Sequence, residues 1–235
     1  MRSSLRLVIL VFVIGAGVTL GYGLNSMPPQ TDSGNGPSRA ASSFPKDVHP
    51  ETGNRLPPIN RDNLDDAAKK IYDAGGNAPG VNYGPQRLRL YTGGAEVFSS
   101  GLNDFLRHKA GLEPQVVELS ILAAVREMDG EYEWTAHEPA ALKAGVSPQI
   151  IDIVKYRKPL TGVPEREATI IALGREAVGK HKVSPETFAR ALKIFGDRQL
   201  VNVVCLMGDY SSTAIMLSTF DQHVRPTDKP LLPIP

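Results

Sequence analysis

Glu133 and His137 stand four residues apart in the run Glu131-Tyr-Glu-Trp-Thr-Ala-His137. On a helix that spacing stacks the two side chains on one face. A carboxylate beneath an imidazole is a proton-handling pair, because it can hold the ring in one tautomer while the other nitrogen exchanges a proton with a substrate. The same spacing is common on solvated helix faces, so the surroundings have to carry the reading. Trp134, the only Trp of the chain, and Tyr132 lie beside the pair, and Glu118 can approach it from the preceding apolar run. Ionisable groups set among aromatic and apolar residues are where proton affinities shift, at functional sites and in structural networks alike. The candidate catalytic residues are therefore His137, Glu133 and Glu118, with Trp134, Tyr132 and Arg126 as candidate substrate contacts.

Two adjoining helices are needed to position such a set. Residues 116–128 are apolar nearly all round, the pattern of a central buried helix, and Glu118 and Arg126 are its polar exceptions. A charge in that setting needs a partner, and Glu118 could pair with His137, Glu133 or Arg126. Gly111-Leu-Glu-Pro114 supplies the helix start. After Asp129-Gly130 the second helix carries Glu133 and His137 and ends at Gly145. Ser147-Pro148, Val163-Pro164 and Ser184-Pro185 open three more helices. A long helical run over residues 199–223 should break near Gly208-Asp209. Earlier helices are expected over residues 64–74, 86–91 and 95–110, the last with Phe98, Leu102, Phe105 and Leu106 along one face. No segment alternates with a two-residue period, so the fold class is all-α, with about seven to nine helices.

Composition narrows the function classes. A net charge of +1, with no Lys/Arg cluster interleaved with aromatics, gives no case for nucleic acid. The single cysteine, Cys205, rules out a disulfide within the chain and a thiolate cage built from one subunit. Its apolar run, residues 200–207, predicts a buried, unreactive thiol. One histidine among carboxylates lacks a firm ligand count, so no metal centre is expected.

The N-terminus is a separate matter. Arg2 and Arg6 precede an apolar run over residues 7–20, the pattern of a secretory signal and short for a spanning helix. Residues 1–24 read as a signal peptide or as an N-terminal anchor that tethers the chain through residues 7–24. Export to the periplasm or the extracellular space is the expectation. Residues 25–56 are rich in Pro, Ser, Gly, Asn and Asp and read as a disordered linker, leaving residues 57–235 as the folded domain.

Glu118-Leu-Ser-Ile-Leu-Ala-Ala-Val, then Glu131-Tyr-Glu-Trp-Thr-Ala-His137-Glu and Ala-Gly-Val-Ser-Pro148, resembles the carboxymuconolactone decarboxylase family, whose superfamily includes the AhpD-like alkylhydroperoxidases. The resemblance runs from about residue 57 to the C-terminus and implies an AhpD-like helical bundle. AhpD-like relatives reduce peroxides with a Cys-x-x-Cys pair ahead of a histidine and served by an upstream glutamate. Laid on this sequence, the histidine falls on His137 and the glutamate on Glu118, while the two cysteine positions fall on Gly130 and Glu133. Both thiols are absent, which excludes a dithiol peroxidase within one chain.

What remains resembles the decarboxylase branch, which uses no cofactor. There a carboxylate leaves a lactone ring whose conjugated carbonyl accepts the electrons, and the dienolate is reprotonated. The resemblance implies a small carboxylated lactone or related metabolite as substrate, His137 as acid/base, Glu133 as its orienting partner, and assembly into a homo-oligomer. A catalytically silent ligand-binding or assembly protein of the same fold is the alternative. The two differ in whether Glu118, Glu133 and His137 meet at one closed pocket.

Overall fold

A computed structural model of the chain describes residues 44–75, 83–93 and 95–233. The expected signal or anchor at residues 1–24 and the linker up to residue 43 lie outside the described residues. Among the described residues there are eight α-helices and no strand. They are α1 (Asp66–Ala74), α2 (Pro85–Arg89), α3 (Ala95–Asp104), α4 (Pro114–Glu127), α5 (Glu131–Lys143), α6 (Pro148–Lys155), α7 (Glu165–Gly174) and α8 (Pro185–Thr219).

The central helix is α4. Every residue from Val116 to Arg126 is buried, as its unbroken apolar run requires. α5, α6, α7 and α8 all pack against it. Gly174 of α7 comes so close to α4 that a Cβ there would lie 2.8 Å from the Ala123 backbone, so only glycine permits this approach. α4 ends at a tight reversal in which Asp129 takes a φ of 50° and the Gly130 N–H donates to the Val125 carbonyl at 2.9 Å. Gly130 O then accepts from the Trp134 N–H at 2.9 Å and opens α5. This short turn lays α5 beside α4 and brings residues of the two helices face to face.

Four expectations change. Order begins before residue 57: Val48 is buried, Thr52 Oγ1 donates to the Leu56 carbonyl at 2.8 Å, and Asn54 Nδ2 donates to Gln222 Oε1 at 2.9 Å. Residues 44–56 have few aliphatics, but polar side chains and the Arg55 N–H to Phe220 O bond at 2.9 Å fix them to the segment after α8. Gly208 stays helical, so the run after the boundary expected from Gly196-Asp197, where Gly196 takes φ 68° and ψ 170°, continues without a further break to Thr219. Cys205 is exposed. The buried face of α8 is Leu200, Val203, Leu206, Met207, Tyr210, Ala214 and Leu217, so Cys205, with Val201 and Val204, falls on the opposite side. Finally, the helix expected over residues 95–110 loosens into a wide turn at Phe105–Lys109, closed by the Ala110 N–H to Phe105 O bond at 2.8 Å.

Candidate functional site

Glu118 projects from α4 and His137 from α5, and the two meet. His137 Nδ1 lies 2.7 Å from Glu118 Oε2. The other carboxylate oxygen accepts from Arg107 Nη2 at 3.2 Å. Arg107 sits in the wide turn after α3, and the extra residue in that turn carries its side chain round to α4. Tyr210 of α8 completes the surround, with its ring edge-on to the imidazole at 4.9 Å and an interplanar angle of 90°. The Tyr210 side chain is hydrogen-bonded to Asn103, which in turn donates to Asp209 Oδ2 at 2.8 Å. The dyad is nearly enclosed: the His137 side chain is 12% exposed.

The electrostatics of this cluster are compensated. Burial pushes the Glu118 carboxyl up, but the hydrogen bond and charge of His137 and the charge of Arg107 outweigh it, so the group lies below the usual carboxylate range. Burial pushes the Tyr210 hydroxyl up to about 12, keeping it a neutral donor. Arg107 has more to offer than its bond to Glu118, since its Nε is buried without a hydrogen-bond partner.

Glu133 does not orient His137, contrary to the expectation from spacing. Glu118 holds the ring, and the Glu133 carboxyl lies back along the first turn of α5, 3.5 Å from where a Cβ on Gly130 would stand. It lines a cleft of about 250 Å3 with Gly130, Glu131, Tyr132, Ala214 and His223, a cleft that Glu118 and His137 do not line. Glu133 is 4% exposed and neither of its oxygens has a hydrogen-bond partner. Burial pushes its carboxyl up to about 8, against smaller opposing pulls from its own backbone N–H and the charge of Arg89. The α4–α5 packing explains the split: i, i+4 places two Cβ atoms on one face, but the partner is chosen by what the neighbouring helix presents.

Two of the expected substrate contacts have structural work instead. Trp134 has no exposed surface, and its Nε1 donates to Glu138, which also accepts from Lys155 Nζ at 2.8 Å. It anchors α5 to α6. Arg126 donates from Nε to the Lys155 carbonyl at 2.6 Å and from Nη1 to Asp129, clasping the end of α4 to the end of α6. Tyr132 does line a cavity, the Glu133 cleft, where its hydroxyl lies against Gly84. A Cβ at Gly84 would stand 2.4 Å from that oxygen. Reasoning from sequence missed Tyr210 and His223 and gave Arg107 no specific partner. The available signal for Tyr210 was the three- and four-residue spacing of the buried face of α8 on which it lies.

Residues 98–173 match the model of the carboxymuconolactone decarboxylase family. That segment runs from α3 through α7 and carries Arg107, Glu118, Glu133 and His137, while Tyr210 and His223 lie beyond it. No curated protein matches the chain. Among solved structures, the chain is similar to an alkylhydroperoxidase AhpD core, an uncharacterized peroxidase-related protein from Ralstonia eutropha JMP134. The identity is 18%, the TM-score is 0.56, and the match covers 74% of this chain and 93% of that one. At that identity the likeness speaks to the fold, an AhpD-like helical bundle.

Proposed function

We propose that the chain is a member of the carboxymuconolactone decarboxylase family without the Cys-x-x-Cys pair, supported by the match of residues 98–173 to that family's model, and that it is a cofactor-independent lyase or isomerase. It moves a proton on a small carboxylated lactone or related metabolite, with His137 as acid/base. The observation that carries this reading is the Arg107–Glu118–His137 chain. Glu118 engages Nδ1, which fixes the tautomer and leaves Nε2 as the atom that exchanges a proton. His137 and, to a lesser extent, Arg107 hold the Glu118 carboxyl below the usual carboxylate range, so the carboxylate stabilises the imidazolium that forms.

The chemistry balances without an external electron carrier. The C–C bond to the substrate carboxylate breaks and carbon dioxide leaves. The electron pair enters the conjugated lactone carbonyl, and His137 returns a proton to the dienolate carbon. The unpartnered Nε–H of Arg107 suits a carboxylate or an oxyanion as hydrogen-bond acceptor. Homo-oligomer assembly belongs to the same proposal, supported by the exposed Phe98, Leu102 and Phe105 of the α3 region and Val201, Val204 and Ile215 of α8. Export, with a signal or anchor at residues 1–24, is proposed from the apolar run alone.

The test is proton exchange in deuterium oxide, followed by NMR, on a panel of carboxylated lactones and β-keto acids. Exchange or carbon dioxide release is expected with the wild type and absent with His137→Ala. Equal turnover by that variant would remove His137 from the chemistry. The second reading, a catalytically silent ligand-binding protein, draws support from one observation: the 250 Å3 cleft is lined by Glu133 and not by the dyad.

A further inference from the structure

The cleft beside Glu133 lies between the first turn of α5 and the C-terminal end of α8, and proton transfer at His137 makes no use of it. Its acids are of two kinds. Asp129 is clasped by Arg126 and Arg157, and Asp221 stands 3.4 Å from His223 Nε2 and 4.0 Å from Arg55 Nη2. Glu131 and Glu133 have no such clasp. Glu131 is half-buried and feels the charge of His223, and Glu133, at 4% exposure, has two oxygens without a partner. A buried carboxyl without a donor is costly, and in the wall of a cleft it favours a ligand with donors to offer.

The other wall selects the sign of that occupant. Leu217 and Ser218 belong to the last turn of α8, where the partial negative charge of helix carbonyls collects. An anion in the cleft would face Glu131, Glu133, Asp221 and this helix end together, against the Nε2 of His223, which has no hydrogen-bond partner. A bare metal ion would need converging ligands, and among the described residues no three His, Cys, Asp or Glu side chains are grouped to hold one. An organic cation with N–H donors meets the carboxyl oxygens and presents its carbons to Ala214 and Leu217. The volume of about 250 Å3 gives room for a four- or five-carbon chain.

We propose that this cleft binds a small aliphatic primary amine, its ammonium group donating to Glu133 and Glu131 and its carbons lying against Ala214 and Leu217. The site is separate from the Glu118–His137 dyad. The charge acting on Glu133 is that of Arg89 from α2; the other titratable groups lining the cleft are Asp129, Glu131 and Tyr132 from the α5 side and Asp221 and His223 from the segment after α8, while α8 itself presents Ala214, Leu217 and Ser218. Burial holds the Glu133 proton up to about 8, so an ammonium entering the cleft replaces that proton.

Calorimetric titration of the full chain with 1,4-diaminobutane tests this. Saturable binding is expected, tightening about tenfold per pH unit from pH 6 to 8, with a heat that varies with the buffer as a proton is released. Glu133→Gln keeps the shape of the neutral carboxyl, so its thermal melt should be intact while binding at pH 8 weakens by about tenfold or more. Glu131→Gln should weaken binding less, and His137→Ala should bind as the wild type does. Undiminished binding by Glu133→Gln overturns the proposal. So does silence at millimolar diamine, equal binding of tetramethylammonium, which has the charge but no N–H, or competition by butyrate.

Discussion

Glu118 on α4 and Glu133 on α5 are both buried, at 7% and 4% exposure, yet only Glu118 meets donors and positive charge at hydrogen-bond distance. Arg107 and His137 each take one oxygen of Glu118, and the group lies below the usual carboxylate range. Glu133 has Arg89 in its surroundings but no bond to either oxygen, and its carboxyl rises to about 8. Burial alone therefore does not decide a proton; the partner does. Two carboxyls held in opposite states a short way apart is the arrangement from which acid and base roles are built.

The largest effect should come from breaking the compensated side. His137→Ala is expected to abolish exchange on the lactone panel, and Glu118→Gln to lower it by a factor of about 100 to 10,000, as loss of a positioned acid–base partner does. Both variants should retain the helical circular dichroism of the wild type. Full activity in Glu118→Gln would mean that the 2.7 Å contact is structural only.

The uncompensated side should appear first in stability. Glu133 has a folded-state pKa above its unfolded one, so the native state holds the proton more tightly. Stability is then unaffected below the unfolded value of 4.5 and falls as pH rises, by about 1.4 kcal/mol per unit, until about pH 8. Glu133→Gln cannot ionise and should remove that slope, gaining a few kcal/mol over the wild type at pH 8. Urea denaturation at pH 5 and pH 8 measures it. Parallel pH dependences for the two proteins would show that Glu133 is solvated in the native state.

A smaller effect sharpens the first comparison. Glu118 has the opposite sign: its depressed folded-state value contributes stability above the unfolded value, lost as pH falls through the folded one. Arg107→Gln removes a charge that holds Glu118 ionised, so the acid limb of the activity profile should move to higher pH. The move is partial, because the His137 hydrogen bond stays and outranks Arg107 among the lowering influences. An unchanged limb would leave His137 as the sole support.

Helix starts at Pro114, Pro148 and Pro185, the all-round burial of α4 and the Asp129-Gly130 reversal were legible from local chemistry, because Pro, Ser and Gly act on their own few residues. The partner of His137 was not. Spacing favoured Glu133 on the same helix, but the choice rests on how α4 crosses α5, a tertiary fact that no local pattern encodes. Arg107 needed the wide turn after α3, and Tyr210 and His223 reach their clusters from nearly the far end of the chain. The order of residues 44–56 was hidden for a related reason: Asn54 and Gln222 hold that segment through polar bonds that composition reads as disorder.

Cys205 bears on the comparison from outside both regions. The apolar run around it suggested a core thiol, but a helix with one buried face leaves its neighbours outward, and Cys205 is exposed beside Val201 and Val204. An exposed thiol is accessible to alkylation, whereas a packed one resists it, so iodoacetamide should modify Cys205 readily in the folded monomer and more slowly where the proposed assembly covers the face of Val201 and Val204. Cys205→Ser should leave exchange, melting temperature and diamine binding unchanged, since neither carboxyl cluster includes the residue. Loss of activity in Cys205→Ser without loss of helicity would bring a thiol back into the chemistry and displace the carboxyl pair as the centre of function.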